Sequence, residues 1–121
     1  MTTVLLVEDS LTESEILTRY LQQVGLNVVL ARDGMEAQYH LNQQRPDLIV
    51  LDVILPGQSG FELCRELKAS TETDGIPVIM CSTKDTDADK LWGNMLGADA
   101  YLPKPVNQQE FVNTVQQLIG R

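Results

Sequence analysis

The sequence has few of the residues that build disulfide frameworks, metal cages and nucleic-acid interfaces. It contains two cysteines, Cys64 and Cys81, one histidine, His40, and 5% aromatic residues. Both cysteines lie in apolar patterns with no second cysteine or histidine nearby, so we expect buried thiols rather than a disulfide or a metal site. Basic residues number nine against 17 acidic ones, and the net charge of −8 argues against a nucleic-acid partner.

Long hydrophobic runs are also missing. No apolar stretch approaches the roughly 20 residues of a membrane span. Glu8 and Asp9 interrupt the only apolar stretch near the N-terminus, so there is no signal-peptide pattern. We therefore expect a cytoplasmic protein without a membrane partner. A hydrophobic content of 43% over 121 residues is ordinary for a globular protein and is enough for one domain with its own core.

The chain is organised around one short stretch, in which the apolar residues 48–51 lead directly into Asp52 and the turn at Pro56-Gly57. A short apolar run bounded by polar and turn residues is typical of a strand buried on both faces of a parallel sheet. Asp52 would then lie at the carboxyl end of that strand, where open α/β sheets bind ligands. A single aspartate in this position more often simply opens a loop. The interpretation therefore depends on the other strand ends.

The same β-α pattern occurs five times along the chain. Apolar runs predict four further strands, at 4–7, 28–31, 78–81 and 100–102. Each strand is followed by an amphipathic stretch, and the spacings of Ser10 with Glu13 and of Ser59 with Glu62 are typical of helix N-termini. We expect the apolar side of the fourth helix to pack on the sheet, with Trp92 in the core or at its margin. Its apolar positions are Ala88, Leu91, Trp92, Met95 and Leu96.

This alternation predicts the α/β class. We expect a doubly wound five-stranded parallel sheet with helices on both faces, the (βα)5 flavodoxin-like architecture. Right-handed crossovers limit the possible topologies, and the strand order 2-1-3-4-5 is the one we predict. In that order the direction of winding reverses between the first and third strands.

The predicted order brings several polar side chains into one crevice. The first and third strands end in Glu8-Asp9 and in Asp52, while Ser82 and Lys104 follow the fourth and fifth strands. Three carboxylates at close range repel unless a cation joins them. Mg²⁺ suits such a site, because it prefers one or two carboxylates together with waters and a phosphate oxygen. Asp52 could attack phosphorus to form an aspartyl phosphate, with Lys104 and Ser82 contacting the transferring group.

With these residues in view, the sequence resembles the receiver domains of bacterial two-component response regulators over essentially its whole length. The resemblance rests on the following residues: Glu8-Asp9, Asp52, Leu55-Pro56-Gly57, Ser82-Thr83, Tyr101 and Lys104-Pro105. Glutamate replaces the more common first aspartate, and Ser82 replaces the more common threonine, but both keep the required group. The run from Lys84 to Pro105 is most similar to stand-alone regulators of chemotaxis and type IV pilus motility.

The resemblance implies a single receiver (response regulatory) domain over residues 1–121, a phosphorylation-dependent signalling switch rather than an enzyme. Asp52 would accept a phosphoryl group from a histidine kinase or a phosphotransfer domain. Mg²⁺ would be bound by Glu8, Asp9, Asp52 and the backbone carbonyl of Ile54.

The resemblance also implies how the signal leaves the site. Ser82 and Lys104 would contact the phosphoryl oxygens, and Tyr101 matches the family's aromatic switch position. Pro105 matches a proline whose preceding peptide bond is cis in the family. A downstream protein would bind the face built by the fourth helix, the fifth strand and the fifth helix.

Three other functions fit the sequence less well. A hydrolase of the haloacid dehalogenase type would need a second aspartate two residues after Asp52, where this chain has Ile54. A flavodoxin-like flavin binder would need a phosphate loop after the first strand, where Glu8 and Asp9 would repel the phosphate. A receiver fold that docks partners without phosphorylation usually lacks one of the acidic residues or the lysine, and this chain retains them.

Overall fold

The computed structural model describes residues 1–120, in which strands and helices alternate from end to end. The elements are β1 (Thr3–Val7), α1 (Leu11–Gln23), β2 (Asn27–Ala31), α2 (Gly34–Gln43), β3 (Leu48–Leu51), α3 (Gly60–Ala69), β4 (Val78–Ser82), α4 (Asp87–Met95), β5 (Ala100–Pro103) and α5 (Gln108–Ile119). Within this described part, none of the helices is long and apolar enough to cross a membrane.

The five strands form one parallel sheet in the order β2-β1-β3-β4-β5. The predicted class, topology and strand order are therefore confirmed. β1 and β3 are paired in register from Val4 with Leu48 to Val7 with Leu51, so the two strands end side by side. The chain winds in opposite directions on the two sides of this pair, which opens a crevice at their carboxyl ends.

The sheet is buried on both faces, because consecutive strand residues point to opposite sides. Leu5 and Val7 pack into one apolar layer with residues of α2 and α3, and Val4 and Leu6 pack into a second layer with residues of α1 and α5. Every residue of β1, β3 and β4 is buried. This two-sided burial explains why the sequence of these strands is a continuous apolar run rather than an alternating one.

Both cysteines are buried free thiols, as predicted. Cys64 packs in the layer formed by α2 and α3, and Cys81 lies in the layer formed by α1 and α5. Burial raises the pKa of the Cys81 thiol to about 12, and it raises the pKa of the Cys64 thiol as well. Both groups are therefore protonated at neutral pH and behave as small apolar side chains.

Two aspartates fasten the opposite, amino-terminal edge of the sheet. The backbone N–H of Asp47 donates to the carbonyl of Thr3, and the N–H of Thr3 donates back to Asp47 Oδ2 at 2.8 Å. Asp99 makes the same pair of bonds with Val78, whose N–H lies 2.8 Å from Asp99 Oδ2. Each aspartate precedes a strand, so these bonds fix the register of β3 against β1 and of β5 against β4.

The prediction for α4 was wrong about which residues face the core. Leu91 is 63% exposed, Trp92 41% and Met95 67%, while Gly93 is the buried residue of the helix. A Cβ atom at Gly93 would lie 2.9 Å from the Tyr101 ring. The helix therefore packs against β5 at Gly93, where no side chain intervenes. Its large apolar residues face the solvent instead.

A second close approach lies between the start of α3 and the backbone of Asp52. α3 begins at Gly60, whose N–H donates to the Val53 carbonyl at 2.8 Å. A Cβ atom added at Gly60 would lie 2.0 Å from the Asp52 carbonyl oxygen and 2.8 Å from Leu51 Cδ1. Contacts this short cannot be relieved by a side-chain rotation, because the nearest atom belongs to the backbone. Glycine at this position thus allows α3 to begin directly behind Asp52.

We predict that Gly60→Ala lowers the free energy of unfolding by about 2 kcal/mol or more, because overpacking forces the backbone behind Asp52 to move. Urea denaturation measures the change. Gly75→Ala is the matched control, since its nearest neighbour is the end of the flexible Arg45 side chain at 3.3 Å. That variant should stay within about 1 kcal/mol of wild type. Equal stability of the two variants would contradict this account of Gly60.

Candidate functional site

The predicted metal and phosphoryl residues lie at the carboxyl edge of the sheet, whereas the predicted switch residue Tyr101 is the second residue of β5. Glu8 directly follows β1, Asp52 follows β3, Ser82 is the last residue of β4, and Lys104 follows β5. Glu8, Asp52 and Ser82 are buried, whereas Asp9 is exposed at the rim of the crevice. The strand order alone is responsible for this grouping, because the residues are separated by as many as 96 positions along the chain.

The Lys104 ammonium lies between two carboxylates. Its Nζ donates to Glu8 Oε1, and it donates to Asp52 Oδ2 at 2.9 Å. The three side chains are 5%, 3% and 9% exposed respectively, so the bridge is shielded from water. The Lys104 backbone is fixed as well, since its N–H donates to the Ser82 carbonyl at 3.0 Å. The Lys104-Pro105 peptide bond is cis, as the resemblance implied.

The remaining carboxylate oxygens of this bridge are held by backbone N–H groups. Glu8 Oε2 accepts from the N–H of Ser10 at 3.0 Å, and Asp52 Oδ1 accepts from the N–H of Ile54 at 3.1 Å. Each carboxylate therefore has one oxygen on the lysine and one on its own loop. This arrangement fixes the orientation of both side chains before any ligand arrives.

Burial and ion pairing have opposing effects on these charges. Burial raises the pKa of Glu8, although the bonds from Lys104 and Ser10 offset part of the rise. Burial also acts to lower the pKa of Lys104, but its bonds to Glu8 and Asp52 outweigh that effect and leave the pKa raised. The ammonium is therefore charged at neutral pH, and it supplies a fixed positive charge next to the Asp52 carboxylate.

The donor set suits a hard divalent cation. With Glu8, Asp9 and Asp52 ionised and Lys104 protonated, the four side chains carry a net charge of −2, which is the sum of three negative charges and one positive charge. Among residues 1–120 there is no preassembled group of three or more acidic, histidine or cysteine side chains. Mg²⁺ does not need one, because it usually keeps several waters and takes one or two carboxylates. The oxygen chemistry and the charge of the crevice therefore fit the ion.

Ser82 and Tyr101 are diagonal neighbours on the same face of the sheet. β4 and β5 pair Met80 with Tyr101, and Ser82 is two residues beyond Met80. Ser82 Oγ accepts from the N–H of Lys84 at 3.2 Å, and the Tyr101 hydroxyl donates to the Lys84 carbonyl. Burial and the nearby Asp89 carboxylate raise the pKa of Tyr101 to about 12. The loop that begins at Ser82 thus connects the crevice to Tyr101.

A model of the response regulator receiver domain matches residues 4–116. The chain belongs to this family. Similar proteins cover nearly its whole length: Protein PilH of Pseudomonas aeruginosa is 38% identical over 120 residues, which is 99% of each chain.

Solved structures agree with the receiver fold. A response regulator from Chloroflexus aurantiacus J-10-fl superposes with a TM-score of 0.95 at 33% identity, covering 99% of this chain and 98% of the other. The receiver domain of the sensor histidine kinase PA1611 from Pseudomonas aeruginosa PAO1 superposes with a TM-score of 0.90 at 29% identity, with the same coverage. That structure has a magnesium ion coordinated in its active-site cleft.

Sequence reasoning missed three residues that shape this receiver site. Gly60 and Gly93 were not singled out, because a glycine reveals a close approach only when its neighbours in space are known. Glu13 was noticed only as part of a helix N-terminus, yet its Oε2 lies 4.0 Å from Lys104 Nζ. The signal for Glu13 is its place in the first turn of α1, four residues after Asp9.

We predict that Lys104→Met lowers the free energy of unfolding by about 3 kcal/mol at neutral pH without divalent cations, because it leaves two buried carboxylates unpaired. The loss should shrink as the pH falls from 7 to about 4, because burial raises the pKa of Glu8 and this variant lacks the opposing bond from Lys104. Thermal and urea unfolding over this pH range measure both effects. The control is Lys84→Met, whose ammonium is 47% exposed beside Asp89, so its loss should change stability much less. An unchanged stability of Lys104→Met would contradict this electrostatic account.

Proposed function

We propose that this receiver domain is a phosphorylation-dependent switch, in which Asp52 accepts a phosphoryl group from a histidine kinase or a phosphotransfer domain. The observation that carries the proposal is the Lys104 ammonium 2.9 Å from Asp52 Oδ2, at the edge of the sheet where ligands bind. A fixed cation next to a carboxylate suits the transfer of an anionic group to that carboxylate.

In the proposed reaction, an Asp52 oxygen attacks phosphorus while the bond between phosphorus and the donor's histidine nitrogen breaks, so that an acyl phosphate forms on Asp52. The Lys104 ammonium then contacts an oxygen of the incoming group. The Ser82 hydroxyl donates to another oxygen of that group. Mg²⁺, held by Glu8, Asp9, Asp52 and the Ile54 carbonyl, would neutralise charge on the transferring group.

The proposed output runs from Ser82 to the surface. A phosphoryl group adds roughly two negative charges and three acceptor oxygens, so it draws Ser82 and Lys104 toward Asp52. Ser82 Oγ then leaves the Lys84 N–H, and the Lys84 carbonyl is the acceptor of the Tyr101 hydroxyl. A moved loop therefore changes the position of Tyr101 and the face formed by α4, β5 and α5, where a downstream protein would bind.

We place the switch in the control of motility or taxis. This narrower proposal is supported by the resemblance of the run from Lys84 to Pro105 to chemotaxis and type IV pilus regulators, and by the 38% identity with PilH. The rival function, docking without phosphorylation, would be favoured by the loss of an acidic residue or of the lysine. Glu8, Asp52 and Lys104 are present and in contact here.

Incubation with acetyl phosphate and Mg²⁺ should give an acid-stable, base-labile adduct on wild type, and Asp52→Asn should abolish it. An amide oxygen is a far poorer nucleophile than a carboxylate. Intact-protein mass spectrometry detects the added phosphoryl group. Asp85→Asn is the control, because Asp85 is exposed in the nearby loop after β4 and should be labelled like wild type. Undiminished labelling of Asp52→Asn would refute the acceptor assignment.

Mg²⁺ should raise the melting temperature of wild type, because an ion that binds only the folded state stabilises it by about 2.7 kcal/mol at one hundred times its Kd. Asp9→Asn should lose most of this shift, since it removes a charged oxygen ligand. Asp74→Asn changes an exposed aspartate in the loop between α3 and β4 and should keep the full shift. Equal shifts in the two variants would show that Asp9 does not bind the ion.

Ser82→Ala should still be phosphorylated on Asp52 but should not transmit the signal. Trp92 is the only tryptophan and lies on α4 next to Gly93, against which Tyr101 packs, so its fluorescence reports this region. We expect phosphorylation to change the emission of wild type and of the control Thr83→Ala. The same change in phosphorylated Ser82→Ala would exclude the route through Ser82 and Tyr101.

A further inference from the structure

A third carboxylate faces the Lys104 ammonium. Glu13 Oε2 lies 4.0 Å from Lys104 Nζ, and the Glu13 side chain is 33% exposed. Glu13 is in the first turn of α1, so it reaches the lysine from the solvent side of the buried bridge. The ammonium therefore has two buried partners and one partner at the rim of the crevice.

Glu13 is tied structurally to the same loop as Glu8. Ser10 Oγ accepts from the N–H of Glu13 at 3.3 Å, while the N–H of Ser10 donates to Glu8 Oε2 at 3.0 Å. The helix cap thus uses the backbone of Glu13 and leaves its carboxylate free to face the lysine. Glutamine at this position keeps the cap and changes only the charge.

A cation that binds Glu8 and Asp52 competes with Lys104 for both of its buried partners. In the structure all four carboxylate oxygens of Glu8 and Asp52 are occupied, two by Lys104 and two by the N–H groups of Ser10 and Ile54. A divalent cation on the same oxygens repels the ammonium, which favours movement of Lys104 away from them. Because the Lys104 side chain is only 5% exposed, displacement without another counter-ion would leave a buried, unpaired charge.

We infer that Glu13 is a positioning residue for Lys104, which receives the ammonium when Mg²⁺ takes Glu8 and Asp52. This inference rests on the proposed Mg²⁺ site. Glu13 strengthens Mg²⁺ binding by lowering the cost of moving Lys104, and it keeps the ammonium within reach of a group arriving at Asp52. The residue acts through Lys104 and does not itself contact the reacting atoms.

A simpler effect must be separated from this one, because any negative charge near the crevice attracts a cation. A positioning role requires Lys104, whereas a direct attraction does not. The two effects therefore differ in a double-mutant cycle between Glu13 and Lys104. Glu15→Gln is the matched control, since Glu15 lies on the exposed side of the same helix and carries the same charge.

The experiment is isothermal titration calorimetry of Mg²⁺ with purified protein. We expect Glu13→Gln to weaken Mg²⁺ binding by about two- to fivefold, the range of a partly exposed ion pair, and Glu15→Gln to leave it nearly unchanged. In a Lys104→Met background, Glu13→Gln should weaken it no more than Glu15→Gln does. An equal loss in both backgrounds would overturn the positioning role and leave a plain charge effect.

A second measurement needs neither the metal nor the Lys104 variant, so it remains valid if that variant misfolds. The ¹⁵N resonance of the Lys104 ammonium should shift in Glu13→Gln and remain in place in Glu15→Gln, because Glu13 faces the ammonium and Glu15 does not. If wild type binds Mg²⁺ but Glu13→Gln behaves like Glu15→Gln in both measurements, the inference is overturned and the proposed function stands. If wild type does not bind Mg²⁺, the proposed metal site fails and the inference fails with it.

Discussion

The ion pair between Lys104 and the carboxylates of Glu8 and Asp52 is the interaction on which the site depends. It connects the ends of β1, β3 and β5, which are distant in sequence, and it orients each partner before a ligand binds. A bridge of this kind contributes little net stability, because desolvation of the charges offsets their attraction. Its value lies in geometry: each carboxylate has a defined second contact on its own loop.

The two apolar layers give this bridge a rigid base. β1, β3 and β4 are buried on both faces, so their ends cannot shift independently of α1, α3 and α5. At the amino-terminal edge of the sheet, Asp47 and Asp99 fix the register of β3 and β5. A one-residue slip of either strand would move its site residue along the opposite edge. The core therefore determines which side chains meet in the crevice. The polar residues at the strand ends are the ones that line it.

The sequence was sufficient to predict the strand order and the group Glu8, Asp52, Ser82 and Lys104. Buried parallel strands have a clear apolar signature, and the topology then places their ends together. The contacts within the group could not be predicted, because they depend on side-chain conformation rather than on the spacing of residues along the sequence. The orientation of α4 was predicted incorrectly for a related reason. The helix packs against β5 at Gly93, and a residue without a side chain does not contribute to an apolar pattern.

The burial of Cys64 and Cys81 makes the protein well suited to labelling with thiol-reactive probes. A thiolate is the reactive species, and both native thiols are sheltered in the core and held protonated. A cysteine introduced on the exposed surface of α4, at Leu91 for example, would be modified while the native pair stays intact. A fluorophore or spin label could thus be attached to one chosen position without first replacing residues of the core.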